Sequence, residues 1–170
     1  DNTRALVGMV RTNSSSQFAD SATQRFVLSW FNRRGLGLVN SFTADRTTTS
    51  TTYVEVNTEI RAEFVTWADE SVSLGVSGVV SDGTAAANVF TAIGVDDTNQ
   101  ENAVSVVTNS AINDFNPIGI HLELNGLTEA YHYATVLGAV SGGTGTWQGG
   151  TYTADTTVRE IVSLTVKVRG

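Results

Sequence analysis

A chain of 170 residues without cysteine can hold neither a disulfide nor a thiolate metal site, and its length fits one domain, residues 1–170. Its net charge of −7, from 10 Lys+Arg against 17 Asp+Glu, argues against nucleic acid or an anionic membrane as partner, because both attract clustered cations. No apolar run reaches the ~18 residues of a membrane-spanning helix. The chain begins at Asp1, and we expect it to be the C-terminal part of a longer protein or a processed one.

Strand-forming residues follow one another along almost the whole chain. Val, Thr, Ile, Phe and Tyr alternate with polar residues at a period of two, and long helical stripes are absent. At Glu59–Trp67, for example, Ile60, Ala62 and Phe64 alternate with charged residues. We predict strands at 5–11, 24–32, 37–43, 51–56, 59–67, 72–80, 88–95, 103–107, 118–124, 131–140, 146–153 and 161–168.

Two connections stand out between these strands. The pair Asp82-Gly83 predicts a hairpin turn before the strand at 88–95. The stretch 96–116 is the longest irregular one, and such a segment either carries function or crosses between sheets. The strand count and the short turns predict an all-β fold, an antiparallel two-sheet sandwich of the jelly-roll type.

The segment 6–34 is apolar on both faces of its second strand. Phe26, Leu28 and Trp30 share one face, while Val27 and Phe31 lie on the other. We expect two adjacent core strands here, the second buried both against the core and against a neighbouring subunit. An oligomer is therefore predicted.

Three arginines lie in the same segment of this acidic chain. Arg25, Arg33 and Arg34 can pair with Asp20 or nearby glutamates of the same chain, or they can pair across a subunit boundary. Both alternatives remain open from the sequence, and we take Arg25, Phe31, Arg33 and Arg34 as candidate subunit-interface residues.

Four short stretches of this segment carry a family resemblance: LVGMVR at 6–11, QFADS at 17–21, QRFV at 24–27 and SWFNRR at 29–34. In this order they resemble the C-terminal head domains of bacteriophage virion fibres and spikes. The resemblance covers roughly the first fifth of the chain. It implies a homotrimer on the virion surface that binds other virion proteins and a host surface polysaccharide. A purely structural decoration module and a glycan-active hydrolase or esterase are the alternatives.

A glycan site is predicted around Trp147, which lies in the glycine-rich stretch 141–150. Glycines let an aromatic ring stand clear of its surroundings, and a ring face stacks on the apolar side of a sugar. Gln148, Tyr152 and Asn125 would supply hydrogen bonds if the fold brings them together. The alternative is that Trp147 covers the end of the sandwich.

Carboxylates and histidines give only weak signals for chemistry. Asp96 and Asp97 could bind Ca²⁺ together with Asp114, although the loop lacks the spacing of an EF-hand. His121 and His132 have no second ligand at a usable spacing, and no G-x-S-x-G motif occurs. We therefore predict no enzymatic activity and no required cofactor.

Overall fold

The computed structural model describes residues 7–150 and 161–169, and within these ranges the fold is all-β, with one short 3₁₀ helix and no α-helix. Strands and helix follow this order along the chain: β1 Gly8–Val10, β2 Gln24–Arg25, β3 Val27–Ser29, β4 Gly35–Ser41, β5 Arg46–Thr48, β6 Val54–Glu55, the 3₁₀ helix Thr58–Ile60, β7 Ala62–Thr66, β8 Val72–Asp82, β9 Asn88–Val95, β10 Ala103–Thr108, β11 Asn116–Leu124, β12 Ala130–Val140, β13 Gly145–Trp147 and β14 Ser163–Arg169.

Two six-stranded sheets form the body of the protein. The first sheet has the order β10-β9-β12-β7-β2, with β6 also paired to β12. The second has the order β4-β14-β8-β13-β5, with β11 paired to β8. Of the strands in the described ranges, only the short strand β2 runs parallel to its neighbour. The predicted β-sandwich is therefore confirmed.

The chain passes from one sheet to the other at most connections between the long strands. β7, β9, β10 and β12 belong to the first sheet, and β4, β8, β11 and β14 belong to the second. This connectivity is compatible with the predicted jelly-roll type. The predicted hairpin at Asp82-Gly83 is wrong, because β8 and β9 lie in different sheets. The segment between β10 and β11 also crosses between the sheets, one of the two roles expected of it.

Two strands are shorter in the structure than predicted, because a capped 3₁₀ turn lies between them. Asn57 accepts a hydrogen bond from the Glu59 amide at 2.9 Å, and a 3₁₀ turn begins there. The strand predicted at 59–67 therefore starts only at Ala62, and the one at 51–56 shrinks to Val54–Glu55.

The core lies between the two sheets and is built from alternating residues of facing strands. Ile60, Ala62 and Phe64 are fully buried there, as their alternation predicts. Valines and leucines of β8, β12 and β14 meet them from the other strands. Burial of these side chains, at about 1.5–3 kcal/mol each, is the main stabilising term of the fold.

The amino-terminal segment forms a separate ribbon outside the two sheets. β1 and β3 pair antiparallel, with Gly8 opposite Ser29 and Val10 opposite Val27. The two strands are adjacent as predicted, but they are not strands of the main core. Their inner face, with Leu28, packs instead in a second small cluster against Val65 of β7 and against Trp67, which follows β7.

Candidate functional site

Among the described residues, those predicted to bind a glycan do not form a site. Trp147 is 0% exposed and Gln148 is 2% exposed, so neither can meet a sugar on the surface. The Trp147 ring lies in the core, where its Nε1 donates a hydrogen bond to Thr91 Oγ1 at 2.9 Å. The prediction of an exposed stacking ring is wrong. Tyr152 lies outside the described residues.

Asn125 is exposed but lies far from Trp147. Trp147 is paired with Val80 of β8, while Asn125 follows Leu124, which is paired with Val72 of the same strand. Eight residues of strand at roughly 3.3 Å each separate these levels by about 26 Å. The predicted hydrogen-bonding partner is therefore at the other end of the sandwich.

The three aspartates predicted to bind calcium do not lie together either, because they are divided between the two ends of the sandwich. Asp96 accepts one hydrogen bond from the Tyr133 amide and contacts His132 Nδ1 at 2.6 Å, next to the loop at 125–129. Asp97 accepts from two amides of its own turn. Asp114 lies in the loop that contacts the far end of β8, where the Asn113 amide donates to the Asp82 carbonyl. A shared calcium site of these residues is ruled out by their placement.

Neither histidine is arranged as the base of a catalytic triad, in which one ring nitrogen faces the nucleophile and the other faces the acid. His132 Nε2 lies 2.8 Å from the Thr128 carbonyl, which occupies the nitrogen a nucleophile would need. His121 meets Ser73 and Glu123 through the same nitrogen, at 3.2 and 3.5 Å. Among the described residues no group of three or more His, Asp or Glu side chains could hold a metal ion.

The surface that remains is the amino-terminal ribbon, which has two unlike faces. Its pleat places alternate residues on opposite sides. Met9 and Leu28 face the protein body, whereas Val10 and Val27 face outward. We call the outward side the outer face of the ribbon; its members are Gly8, Val10, Thr12, Phe18, Val27, Ser29 and Phe31.

The outer face exposes large apolar side chains and carries no charge. Phe18 is 70% exposed, Phe31 73%, Val10 58% and Val27 39%. Phe18 reaches this face because it forms a bridge with Thr12, two residues beyond Val10. Large apolar side chains grouped on one exposed face are typical of surfaces that contact another molecule. Of the candidate interface residues only Phe31 belongs to it; the sequence pattern did not indicate Val10 or Phe18.

The candidate arginines lie around the ribbon and pair largely within the chain. Arg25 contacts Asp20 at 2.6 Å, the intrachain alternative considered for it. Arg33 contacts Asp69 at 2.9 Å and Glu70 at 2.6 Å. Arg34 Nε donates to Asn32. The hydrogen bond from Arg33 lowers the pKa of Asp69 below its usual range, so this carboxylate stays ionised at neutral pH.

Arg33 also fastens the end of the ribbon to the segment that follows β7. Its guanidinium lies 4.1 Å from the centre of the Trp30 ring, and Trp30 in turn packs edge-on against Trp67 with ring centres 5.2 Å apart. Cation–π contact and ring packing together hold the Trp30 ring against Trp67, with 40% of Trp30 still exposed. The next residue, Phe31, is thereby directed away from the body.

Comparison with known proteins gives only distant similarity. No protein-family model and no curated protein matches the chain. A structure of the infectious bursal disease virus Gx strain is 13% identical, with a TM-score of 0.40 over 86% of this chain and 39% of that one. The VP2 subviral particle of infectious bursal disease virus is 10% identical, with a TM-score of 0.35 over 94% and 45%. The chain thus spans less than half the length of these proteins, and no functional argument follows from scores this low.

Among the described residues, no helix has the length and apolar character needed to span a membrane.

Proposed function

We propose that the protein is a non-enzymatic structural component of a viral particle, held in place by the outer face of its amino-terminal ribbon. The observation that carries this proposal is the uncharged apolar strip of that face. Phe18 and Phe31 expose about seven-tenths of their surface there. Exposing apolar side chains of this size to water is unfavourable, and contact with a neighbouring protein removes them from water.

The same segment carries the resemblance to head domains of phage fibres and spikes, and that supports a particle protein over another kind of assembly. In such a protein, contact with a host surface falls to loops away from the attachment face. The loops 96–102 and 125–129 are suited to this role, since His132 holds Asp96 and Thr128 together at one end of the sandwich. A host polysaccharide is the ligand that we assign to this end, through Asn125 and its exposed neighbours.

Incorporation into particles tests the structural role. In electron microscopy, antibodies raised against the protein should label virus particles isolated from the same source as the protein. A Phe31→Ser variant should lose incorporation, because it removes a large part of the apolar strip. Val106→Ser on β10, a half-exposed residue outside the ribbon, is the matched control and should be incorporated normally. Equal incorporation of both variants, or no labelling of particles, would contradict the proposal.

Polysaccharide assays separate the binding role from the enzymatic alternative. The protein should bind host polysaccharide on an array without releasing new reducing ends or acyl groups. Asn125→Ala should weaken this binding and Asn13→Ala, on the ribbon loop, should not. Release of products with time and enzyme concentration would establish an enzyme and refute the proposed function.

A further inference from the structure

The loop between β11 and β12 carries the one Asn-Gly pair of the sequence, Asn125-Gly126. We propose that this pair is a site of spontaneous deamidation, at which solvent water converts the Asn125 side-chain amide into a carboxylate. The modification goes beyond the proposed function. Only its effect on polysaccharide binding rests on that function.

The reaction needs the loop and water alone. The Gly126 amide nitrogen loses its proton to the solvent and attacks the Cγ atom of Asn125. A carbon–nitrogen bond forms, the Cγ–Nδ2 bond breaks, and ammonia leaves after taking up a proton. Water then opens the cyclic imide at either carbonyl and leaves aspartate or isoaspartate at position 125. Asparagine is a thermolabile residue, and a following glycine has no Cβ atom to shield the attacking nitrogen.

Both residues of the pair are free to react. They are exposed, and Gly126 has a φ of 78°. Apart from its chain neighbours, no atom lies within 4 Å of a Cβ atom added to Gly126. Within residues 7–150 and 161–169, neither the Asn125 side chain nor the Gly126 amide has a hydrogen-bond partner. The nitrogen can therefore approach Cγ without breaking another contact in this part of the chain.

The residues on either side of the pair are anchored. Leu124 and Leu127 pack against the main core. Farther along the same loop, the Thr128 carbonyl lies 2.8 Å from His132 Nε2. Because a change at position 125 is confined between these anchors, we expect the modified chain to keep its fold.

Other asparagines that precede a small residue are held by hydrogen bonds. Asn13, Asn40 and Asn109 each precede serine. Asn13 Oδ1 accepts from two backbone amides of its own loop, and Asn40 Nδ2 donates to two backbone carbonyls. Asn109 is fully buried and donates to the Asp82 carbonyl at 2.7 Å. Rotation of these side chains toward the next nitrogen would break these bonds, so they should react more slowly than Asn125.

Asp82-Gly83 could form the same cyclic imide by loss of water, but the fold opposes it. Asp82 is fully buried, and its Oδ1 accepts a hydrogen bond from the Thr84 amide at 2.8 Å. The Gly83 amide donates to the Thr144 carbonyl at 3.1 Å. Both reacting groups are engaged here, in contrast to those at positions 125 and 126.

Deamidation changes the charge at the end of the sandwich to which we assign a polysaccharide. It adds one negative charge to a chain of net charge −7, close in sequence to the exposed Glu123 and Glu129. It also removes the hydrogen-bond donor of the amide. Binding through Asn125 should therefore weaken as the protein ages. The loss should be faster at alkaline pH, where more of the attacking nitrogen is deprotonated.

Peptide mapping by mass spectrometry after incubation in mildly alkaline buffer is the test. In the folded protein the peptide with Asn125 should convert first, and an isoaspartyl methyltransferase should label it. Asn13 and Asn40 should stay intact in the folded protein and convert in urea, where their hydrogen bonds are lost. Gly126→Asn is the matched control, because asparagine tolerates a positive φ while its side chain should slow conversion of Asn125 several-fold.

Two results would overturn the inference. One is an Asn125 that stays intact in the folded protein but converts in urea, and the other is equal conversion of Asn13 and Asn125 in the folded protein.

Polysaccharide binding, measured in parallel on fresh and incubated protein, tests the consequence. Binding by the wild type should fall with incubation, and Gly126→Asn should keep its own starting value for longer. Conversion without any change in binding would leave the modification site standing and remove Asn125 from the proposed binding surface. Conversion in a protein that binds no polysaccharide even when fresh would contradict the proposed binding role alone.

Discussion

The indole of Trp147 and the hydroxyl of Thr91 join the two sheets through the middle of the core. Trp147 lies on β13 of the second sheet and Thr91 on β9 of the first, and the Nε1–Oγ1 distance is 2.9 Å. Both residues are fully buried. A buried indole N–H needs an acceptor, and the opposite sheet supplies one that fixes how the sheets are aligned.

Thr91→Val should destabilise the protein by about 1–3 kcal/mol, because the shape is kept while the Trp147 N–H loses its acceptor in the core. Urea unfolding followed by tryptophan fluorescence measures the change. Thr47→Val on β5 is the control, since Thr47 is exposed and should change stability very little. An equal effect of both substitutions would show that the inter-sheet hydrogen bond contributes nothing measurable.

Gly138 provides the space for the same ring. A Cβ atom at this position would lie 2.5 Å from two carbons of the Trp147 ring and 2.8 Å from Val56 Cγ2. Gly138→Ala should therefore cost about 1–3 kcal/mol through overpacking. At Gly119 on β11 no atom lies within 4 Å of an added Cβ. Gly119→Ala should leave stability unchanged or raise it slightly, and thermal unfolding of the two variants should differ clearly in midpoint.

The sequence predicted an exposed Trp147 ring, and there is a physical reason why that prediction is wrong. Glycines around a tryptophan can expose its ring, or they can make room for the ring inside a core. Here Gly138, on a different strand nine positions away, lies against the ring, and that contact depends on the pairing of strands across the sandwich. By contrast, the burial of Ile60, Ala62 and Phe64 follows from local alternation, which is why the sequence predicts it correctly.

The composition of the outer face of the ribbon was predictable only in part for a similar reason. Two-sided apolar character at 24–32 predicted a second contact beyond the core; Phe31 is exposed, and the contact itself stays a prediction. Val10 lies on the outer face because of the register of β1 against β3, and Phe18 because of its bridge with Thr12. Those pairings are not encoded in any short stretch of sequence.

Leu28→Ala should detach the ribbon from the body. Leu28 is buried against Val65 and Trp67, and removal of such a side chain costs about 2–5 kcal/mol. Because the ribbon is outside the main sheets, the loss should appear first as local opening. Hydrogen exchange should accelerate at 7–11 and 26–30, with the β8 and β12 amides still protected. Val39→Ala, at an exposed valine of β4, should leave ribbon exchange at the wild-type rate.

Acid stability should depend on Glu55, which accepts two hydrogen bonds from Arg61, at 2.6 and 2.7 Å, and one from Thr135 at 2.6 Å. Burial raises the pKa of Glu55, but these hydrogen bonds outweigh it and hold the pKa below its ordinary value. A lowered pKa in the folded state means that the ionised carboxylate stabilises the fold above about pH 4.3, the ordinary value for glutamate. This stabilisation is lost as the pH falls through the folded-state pKa.

Glu55→Gln should therefore lower the free energy of unfolding at neutral pH and flatten its decline in acid. The pKa of Glu59 is also lowered, by its hydrogen bond from Arg46, so part of the acid dependence should remain in this variant. Urea midpoints measured at intervals between neutral pH and the onset of acid unfolding give the pH dependence of stability for the wild type and for Glu55→Gln. Glu123→Gln, at an exposed carboxylate of β11, should retain the wild-type slope, and parallel curves for all three proteins would show that the Glu55–Arg61 pair is not linked to acid unfolding.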